Sequence, residues 1–204
     1  MGTLCDKENE SNNQEGKDKY WQRTHKYGLC VPKTIHEAKE IDKENGNTLW
    51  MDALEMSNVM IAFEEIEDPS KLGGIYQEIT GHLVFDIKLG EGFRQKARFC
   101  ADGHKTKIPS SVTYSTVIFR DSVRLVLLVA ALNGLDVQDV DVQNAFFRAP
   151  NKEKVWLRAG PEFGENQGKF YIVSRALYGL RSAGASFRSF LSRKLDKIGF
   201  KSCL

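Results

Sequence analysis

Apolar residues in this chain recur with two different periods, and the change falls near residue 73. Upstream, Leu49, Trp50, Ala53, Met56, Met60 and Phe63 return every three or four positions. That stripe predicts one amphipathic helix over about 48–66, stopped ahead of Pro69. Before it, Thr34-Ile35-His36-Glu37 reads as a capping box that opens a short polar helix running to about Asn45. Downstream of Gly73-Gly74, apolar neighbours of Val84 and Ile87, then residues 93–101, flank Gly90-Glu91-Gly92 and predict a β-hairpin. Asp121 is expected to cap a buried helix through the run LVLLVAAL, which ends at Asn133-Gly134. Residues 135–142 alternate as a strand, 154–158 read as another, and 170–173 suit a neighbour for it. The last helix is expected after Ser182, with Phe187, Phe190, Leu191, Leu195 and Ile198 at helical spacing and a stop at Gly199. Helices and strands mix without regular βαβ alternation, so the expected class is α+β.

Composition changes this picture at the ends. Residues 1–19 hold one leucine and no aromatic residue, too little apolar surface to offset ordering, and are expected to be a disordered tail. The net charge of +2 hides a division: 1–80 carry a balance of −7 and 81–204 a balance of +9. A basic C-terminal half suits an anionic partner. The apolar run at 125–132 is far short of the ~20 residues of a membrane helix, and the N-terminus has no secretory core. Asp6 stands where a myristoylation motif wants Ser or Thr. Four scattered cysteines and four histidines give no zinc spacing. The expectation is a soluble intracellular chain with no membrane partner.

Candidate chemistry concentrates in Leu135-Asp136-Val137-Gln138-Asp139-Val140-Asp141-Val142. On a strand, Asp139 and Asp141 share one face, opposite Val140 and Val142. Carboxylates at a strand end suit a hard cation such as magnesium, although spacing alone favours an ordinary solvated edge. The segment Asp141-Val142-Gln143-Asn144-Ala145-Phe146-Phe147 resembles the DVxxAF motif of reverse transcriptases, in the variant of the copia-type retrotransposon family. An ordered series of further segments is similar: Trp50-Met51-Asp52-Ala53-Leu54; residues 94–104 to "YKARLVAKGF"; Ser122-Val123-Arg124 and the apolar helix to "SIRLLLALAA". The series continues with Lys152-Glu153-Lys154-Val155-Trp156, Gly160-Pro161-Glu162-Phe163, and Ala176-Leu177-Tyr178-Gly179-Leu180-Arg181. The resemblance spans about 48–201.

This resemblance implies a right-hand polymerase, with fingers and an incomplete palm over 48–204; residues 20–47 carry little family signal and are read as a helical lead-in of unclear role. It implies a two-metal Mg²⁺ site for phosphoryl transfer. Carried over by position, Asp141 is the first metal carboxylate and the Val142 backbone carbonyl an auxiliary ligand. Lys96 and Arg98 hold the triphosphate of an incoming deoxynucleotide, and Phe146 lies under its sugar. Tyr178 and Gly179 contact nucleotide and template, while Asp139 is read as structural. Arg181, Arg188, Arg193 and Lys194 belong to a stretch, 169–201, with a balance of +7, suited to the phosphates of an RNA or DNA template–primer. The remainder of a polyprotein is the other expected partner, and the cytoplasm the expected compartment, with the nucleus second.

Departures from the family bear on activity. A working member needs a later Tyr/Phe-x-Asp-Asp hairpin, and no Asp-Asp pair occurs in the 204 residues. The expectation is therefore a fragment, truncated before the second catalytic motif and inactive alone. Gly184 also stands where the family has proline, Ser182 where glutamine is common, and Phe187 where tryptophan is common. The alternatives are a non-catalytic nucleic-acid-binding fragment or a decayed retroelement reading frame. A solvated hairpin face and a solvated amphipathic helix explain the basic residues without any ligand.

Overall fold

The computed structural model describes residues 25–54, 56–89, 92–108, 113–115 and 117–201. The 1–19 tail and the hairpin-tip residues Gly90 and Glu91 lie outside them. Strands β1 (His25–Lys26) and β2 (Leu29–Cys30) pair through Tyr27 and Gly28, both at positive φ, as a two-residue type I′ turn requires. Helix α1 (Ile35–Asn45) begins where the capping box places it. The Thr34 hydroxyl accepts from the Glu37 N–H at 3.2 Å, while the Glu37 carboxylate reaches back to the Lys33 N–H at 2.7 Å. The reciprocal arm thus lands one residue earlier than in the usual box.

The single helix expected over 48–66 is three elements: α2 (Leu49–Ala53), α3 (Met56–Met60) and strand β3 (Phe63–Ile66). Sheet pairing overrides the helical stripe at Phe63. Residues 63–66 pair antiparallel with β8 (Phe170–Val173), and Phe63 enters an aromatic cluster with Phe99, Phe163 and Tyr171. In that four-stranded sheet β8 lies between β3 and β7 (Val155–Arg158), the neighbour expected from sequence, and pairs antiparallel with both. The short β4 (Gln77–Glu78) lies parallel to β7 at its edge.

The two strands of the predicted hairpin pair along their described length. Strand β5 (Gly81–Lys88) pairs antiparallel with β6 (Arg94–Ala101), in the register Lys88 to Arg94 through Gly81 to Ala101. Its two faces differ in kind. Leu83, Phe85, Ile87, Ala97, Phe99 and Ala101 share one face and reach both hydrophobic clusters. Phe85 meets Trp50 edge-on at 5.7 Å, closing the smaller cluster with Val31, Ala38 and Ile41. The opposite face carries Asp86, Lys88, Arg94, Lys96 and Arg98.

Two expectations fail together. Helix α4 (Arg120–Leu132) ends at Asn133 and Gly134 as foreseen, but it is not buried: of its residues only Ala130 is. Its N-cap is Phe119, and Asp121 sits in the first turn, 3.4 Å from Arg124. Residues 135–142 form no strand, and Leu135, Val137, Val140 and Val142 are exposed. Alternation makes a strand only where a neighbour offers hydrogen bonds. Among the described residues no strand reaches this segment, and the main core is closed by α3, the hairpin, the sheet and α5 (Ala183–Lys197). Helix α5 buries Ala183, Ala185 and Ser186 near its start, while along its apolar stripe Phe187, Phe190 and Leu191 are half-buried and Leu195 and Ile198 are exposed. No helix among the described residues is long and apolar enough to cross a membrane.

Candidate functional site

The polar face and outer edge of β6 border a cavity of about 480 Å³. Lys88, Arg94, Lys96 and Arg98 supply its basic wall. Asp141, Val142, Asn144 and Phe147 line it from the 141–147 turn, and Tyr178 from the turn before α5; Leu54 and Asn58 complete the rim. Three segments far apart in sequence thus bring together five of the residues singled out above: Lys96, Arg98, Asp141, Val142 and Tyr178.

Electrostatics favour an anion on the basic wall. The Lys96 ammonium is pushed below its ordinary range by burial first, then by Arg98, Lys88 and Arg94 around it. A polyphosphate would relieve that crowding. Lys88 was missed by the sequence reading, yet the hairpin held the signal: once the register is set, Lys88 lies directly across from Arg94. The Arg98 guanidinium lies over the Tyr178 ring, 5.5 Å from its centroid, a cation–π contact that orients both groups. Asp141 is exposed, and among the described residues its carboxylate is the only one on the cavity wall.

Other expected residues fall elsewhere. Phe147, buried, lines the cavity, whereas Phe146 is half-buried against Tyr178 at 4.8 Å and Phe187 at 6.2 Å. Gly179 approaches backbone rather than cavity. A β-carbon there would lie 2.0 Å from the Ala101 carbonyl oxygen, and its φ of 89° is the left-handed region that favours glycine. Arg181 is a clamp, with Nε donating to the Gly103 carbonyl at 2.9 Å and Nη2 to the His104 carbonyl at 2.8 Å. Arg188 and Arg193 are exposed on α5, where Arg193 Nε donates to the Ser189 carbonyl; Lys194 sits over the Phe190 ring at 5.5 Å.

Two buried carboxylates hold the surroundings. Glu153 accepts from the Ser182 N–H at 2.7 Å and caps α5 from a distant loop. Asp102 accepts from Thr80 Oγ1 and from Lys105 Nζ at 2.8 Å, and meets His82 Nδ1 at 2.7 Å. Nothing in local sequence marks either, because their partners lie 20 or more residues away, Lys105 excepted. Gly184, the position where the family has proline, gains a local reason: a β-carbon there would stand 3.2 Å from that of Ser115.

The chain is α+β and sets the basic hairpin across a cavity from the segment that carries Asp141. Residues 68–203 match the family model described as reverse transcriptase (RNA-dependent DNA polymerase), and the chain belongs to that family. It is 32% identical over 111 residues to the retrovirus-related Pol polyprotein from transposon RE1 of Arabidopsis thaliana, covering 52% of this chain and 8% of that protein. To the corresponding polyprotein from transposon TNT 1-94 of Nicotiana tabacum it is 34% identical over 103 residues, 48% of this chain and 8% of the relative. A truncated transposon Ty1-A Gag-Pol polyprotein of Saccharomyces cerevisiae is 30% identical over 107 residues, or 50% of this chain and 9% of its own. The chain thus spans less than a tenth of the curated relatives it matches. The copia-type resemblance read from the motifs holds. No solved structure matches the chain. The family generally uses Mg²⁺. Among the described residues, no three His, Cys, Asp or Glu side chains converge as a metal site.

Proposed function

We propose that this chain forms the nucleotide-engaging part of a copia-type reverse transcriptase, with the β5–β6 hairpin as fingers and the residues around Asp141 as the start of the palm. In this reading Lys96 and Arg98, joined by Lys88 and Arg94, hold the triphosphate of a deoxynucleotide. Tyr178 supports its base side, and Phe147 bounds the sugar, with Phe146 behind it against Tyr178. The observation that carries the proposal is that Asp141, Lys96, Arg98 and Tyr178 line one cavity although the chain separates them by up to 82 positions.

Asp141 and the Val142 carbonyl make one side of a cation site. They do not fit a two-cation centre, whose closely spaced ions need several bridging anionic ligands. By itself this polypeptide therefore binds nucleotide without polymerising. Further carboxylates would come from other segments of a polyprotein, working in the cytoplasm. Titration with dATP carrying a fluorescent label on its γ-phosphate tests the binding. Saturable binding should fall about tenfold or more in Lys96→Ala and Arg98→Ala, and affinity unchanged from the unaltered chain in both variants would reject the site. Primer extension with Mg²⁺ should show no incorporation by the purified chain, and incorporation would overturn the inactivity.

The exposed Arg188, Arg193 and Lys194 favour a second reading, in which the basic half binds RNA or DNA without catalysis. Their replacement by alanine should flatten the salt dependence of a gel shift; an unchanged slope would remove α5 from the interface.

A further inference from the structure

We propose that Asp102 is a positioning residue for the Tyr178 side of the cavity, holding the end of β6 as the mould on which the Tyr178–Gly179 turn sits. The inference rests on the nucleotide-binding reading of that cavity.

Asp102 does not touch the cavity. Its side chain joins three separate points: the Thr80 hydroxyl, His82 and Lys105. Its backbone N–H adds a fourth, donating to the Thr80 carbonyl at 2.8 Å. The residue follows the last residue of β6 and has φ −83° and ψ 49°, values of neither strand nor helix. The repeating ladder of the hairpin ends here with that one backbone bond, and the side chain supplies the other three.

The residues on either side of Asp102 meet the Tyr178 turn. The Ala101 N–H donates to the Tyr178 carbonyl at 2.8 Å, and the Ala101 carbonyl abuts Gly179. Beyond it, a β-carbon on Gly103 would lie 2.5 Å from the Gly179 carbonyl oxygen, and the Gly103 carbonyl accepts from Arg181. Such close backbone contacts tolerate little displacement. Arg98, three residues before Ala101 on the same strand, stacks on the Tyr178 ring. The path from Asp102 to the cavity is thus one residue of backbone, one turn and one ring, and a shift of 101–103 would separate Arg98 from Tyr178.

The test uses the full chain, dATP labelled on the γ-phosphate, and 3-fluorotyrosine placed at residue 178. Asp102→Asn should weaken binding by roughly three- to tenfold. In a Tyr178→Ala background it should have no further effect, the non-additivity expected of residues acting as one unit. Val173→Ala, buried but not lining the cavity, supplies a control for lost stability and should leave affinity unchanged. The fluorine resonance of residue 178 should move in Asp102→Asn and in the milder Thr80→Val, but not in Val173→Ala. Additive effects of Asp102→Asn and Tyr178→Ala would overturn the inference, as would an unmoved resonance. If the unaltered chain binds no dATP, the nucleotide reading fails, while the fluorine shift still decides whether Asp102 holds Tyr178.

Discussion

Gly179 and Ala101 approach so closely that a β-carbon on the glycine would overlap the alanine carbonyl, at 2.0 Å from its oxygen. That oxygen belongs to backbone already hydrogen-bonded to the Tyr178 turn, so neither side can retreat cheaply. Gly179→Ala should cost about 3 kcal/mol or more, combining a backbone clash with a side chain at positive φ. Gly168→Ala is the comparison, since its φ of 88° is almost the same but the space around it is open. It should cost only about 1 kcal/mol. Urea unfolding of both variants measures the difference, and equal losses would mean that the contact with Ala101 contributes nothing.

The hairpin has a second such contact. The ring of Phe99 covers Gly81 diagonally across the strands, with the nearest ring atom 2.2 Å from the position of a β-carbon. Phe99 is fully buried between Phe63 and Phe163, so its ring has nowhere to swing. Gly81→Ala should destabilise by about 2–3 kcal/mol. Most of that should return in Gly81→Ala with Phe99→Leu, where the smaller side chain leaves room. A double variant as unstable as the sum of the two singles would show that they do not share this space.

These contacts mark how far sequence reading reaches. The hairpin, α1, β7, β8 and α5 were legible because each is specified by signals within its own ten or fifteen residues: a capping box, a glycine-bearing turn, an alternating run. Phe63 was misread because its helical spacing to Met56 and Met60 is a local fact, whereas its pairing with Val173 is not. Residues 135–142 failed in the opposite way, carrying the local pattern of a strand without the neighbour that would make them one. At the site, Lys96, Arg98, Asp141 and Tyr178 were found through motif resemblance. Asp102 and Glu153 were not, since a buried carboxylate is recognisable only from the groups that converge on it.

Asp102 should also set an acid limit to stability. Burial, the largest single influence, raises its pKa, but hydrogen bonds from Lys105, Thr80 and His82, with the charge of His82, outweigh it and hold the carboxyl at about 2 against an ordinary 3.8. A folded-state value below the unfolded one stabilises the fold wherever the unfolded carboxyl is ionised, and that contribution disappears as pH falls through about 2. The difference in unfolding free energy between the unaltered chain and Asp102→Asn should be about 2 kcal/mol near pH 5 and should shrink as pH falls below about 4. Urea titrations at stepped pH check this; a difference that grows as pH falls below about 4 would contradict the assignment.

Glu153 makes a separate claim on α5. Its carboxylate is buried and accepts from the Ser182 N–H at the helix start, where a negative charge also opposes the positive end of the helix dipole. Glu153→Ala should leave that N–H unsatisfied and cost about 1–3 kcal/mol. Amide exchange should accelerate first in residues 182–186, ahead of the exposed C-terminal turns that already exchange readily. Uniform acceleration along α5 would mean that Glu153 supports the global fold rather than the cap.

Helix α4 offers the sharpest contrast between sequence and surroundings. Its run from Leu125 to Leu132 is apolar on every side, a composition that usually belongs to an interior helix, yet Leu125, Val126 and Leu128 are each more than half exposed. In a covered helix, replacing such residues with lysine would strand a charge in the core at a cost of several kcal/mol. Here Leu125→Lys and Leu128→Lys should each change unfolding free energy by less than about 0.5 kcal/mol. The same two changes should reduce binding of a hydrophobic dye and suppress self-association, because they divide a run of exposed apolar side chains from Leu125 to Val129. Denaturation and light scattering on the two variants decide the matter. A loss of stability in the range expected of core residues would show that this face is covered in solution, and would return α4 to the interior position its sequence implies.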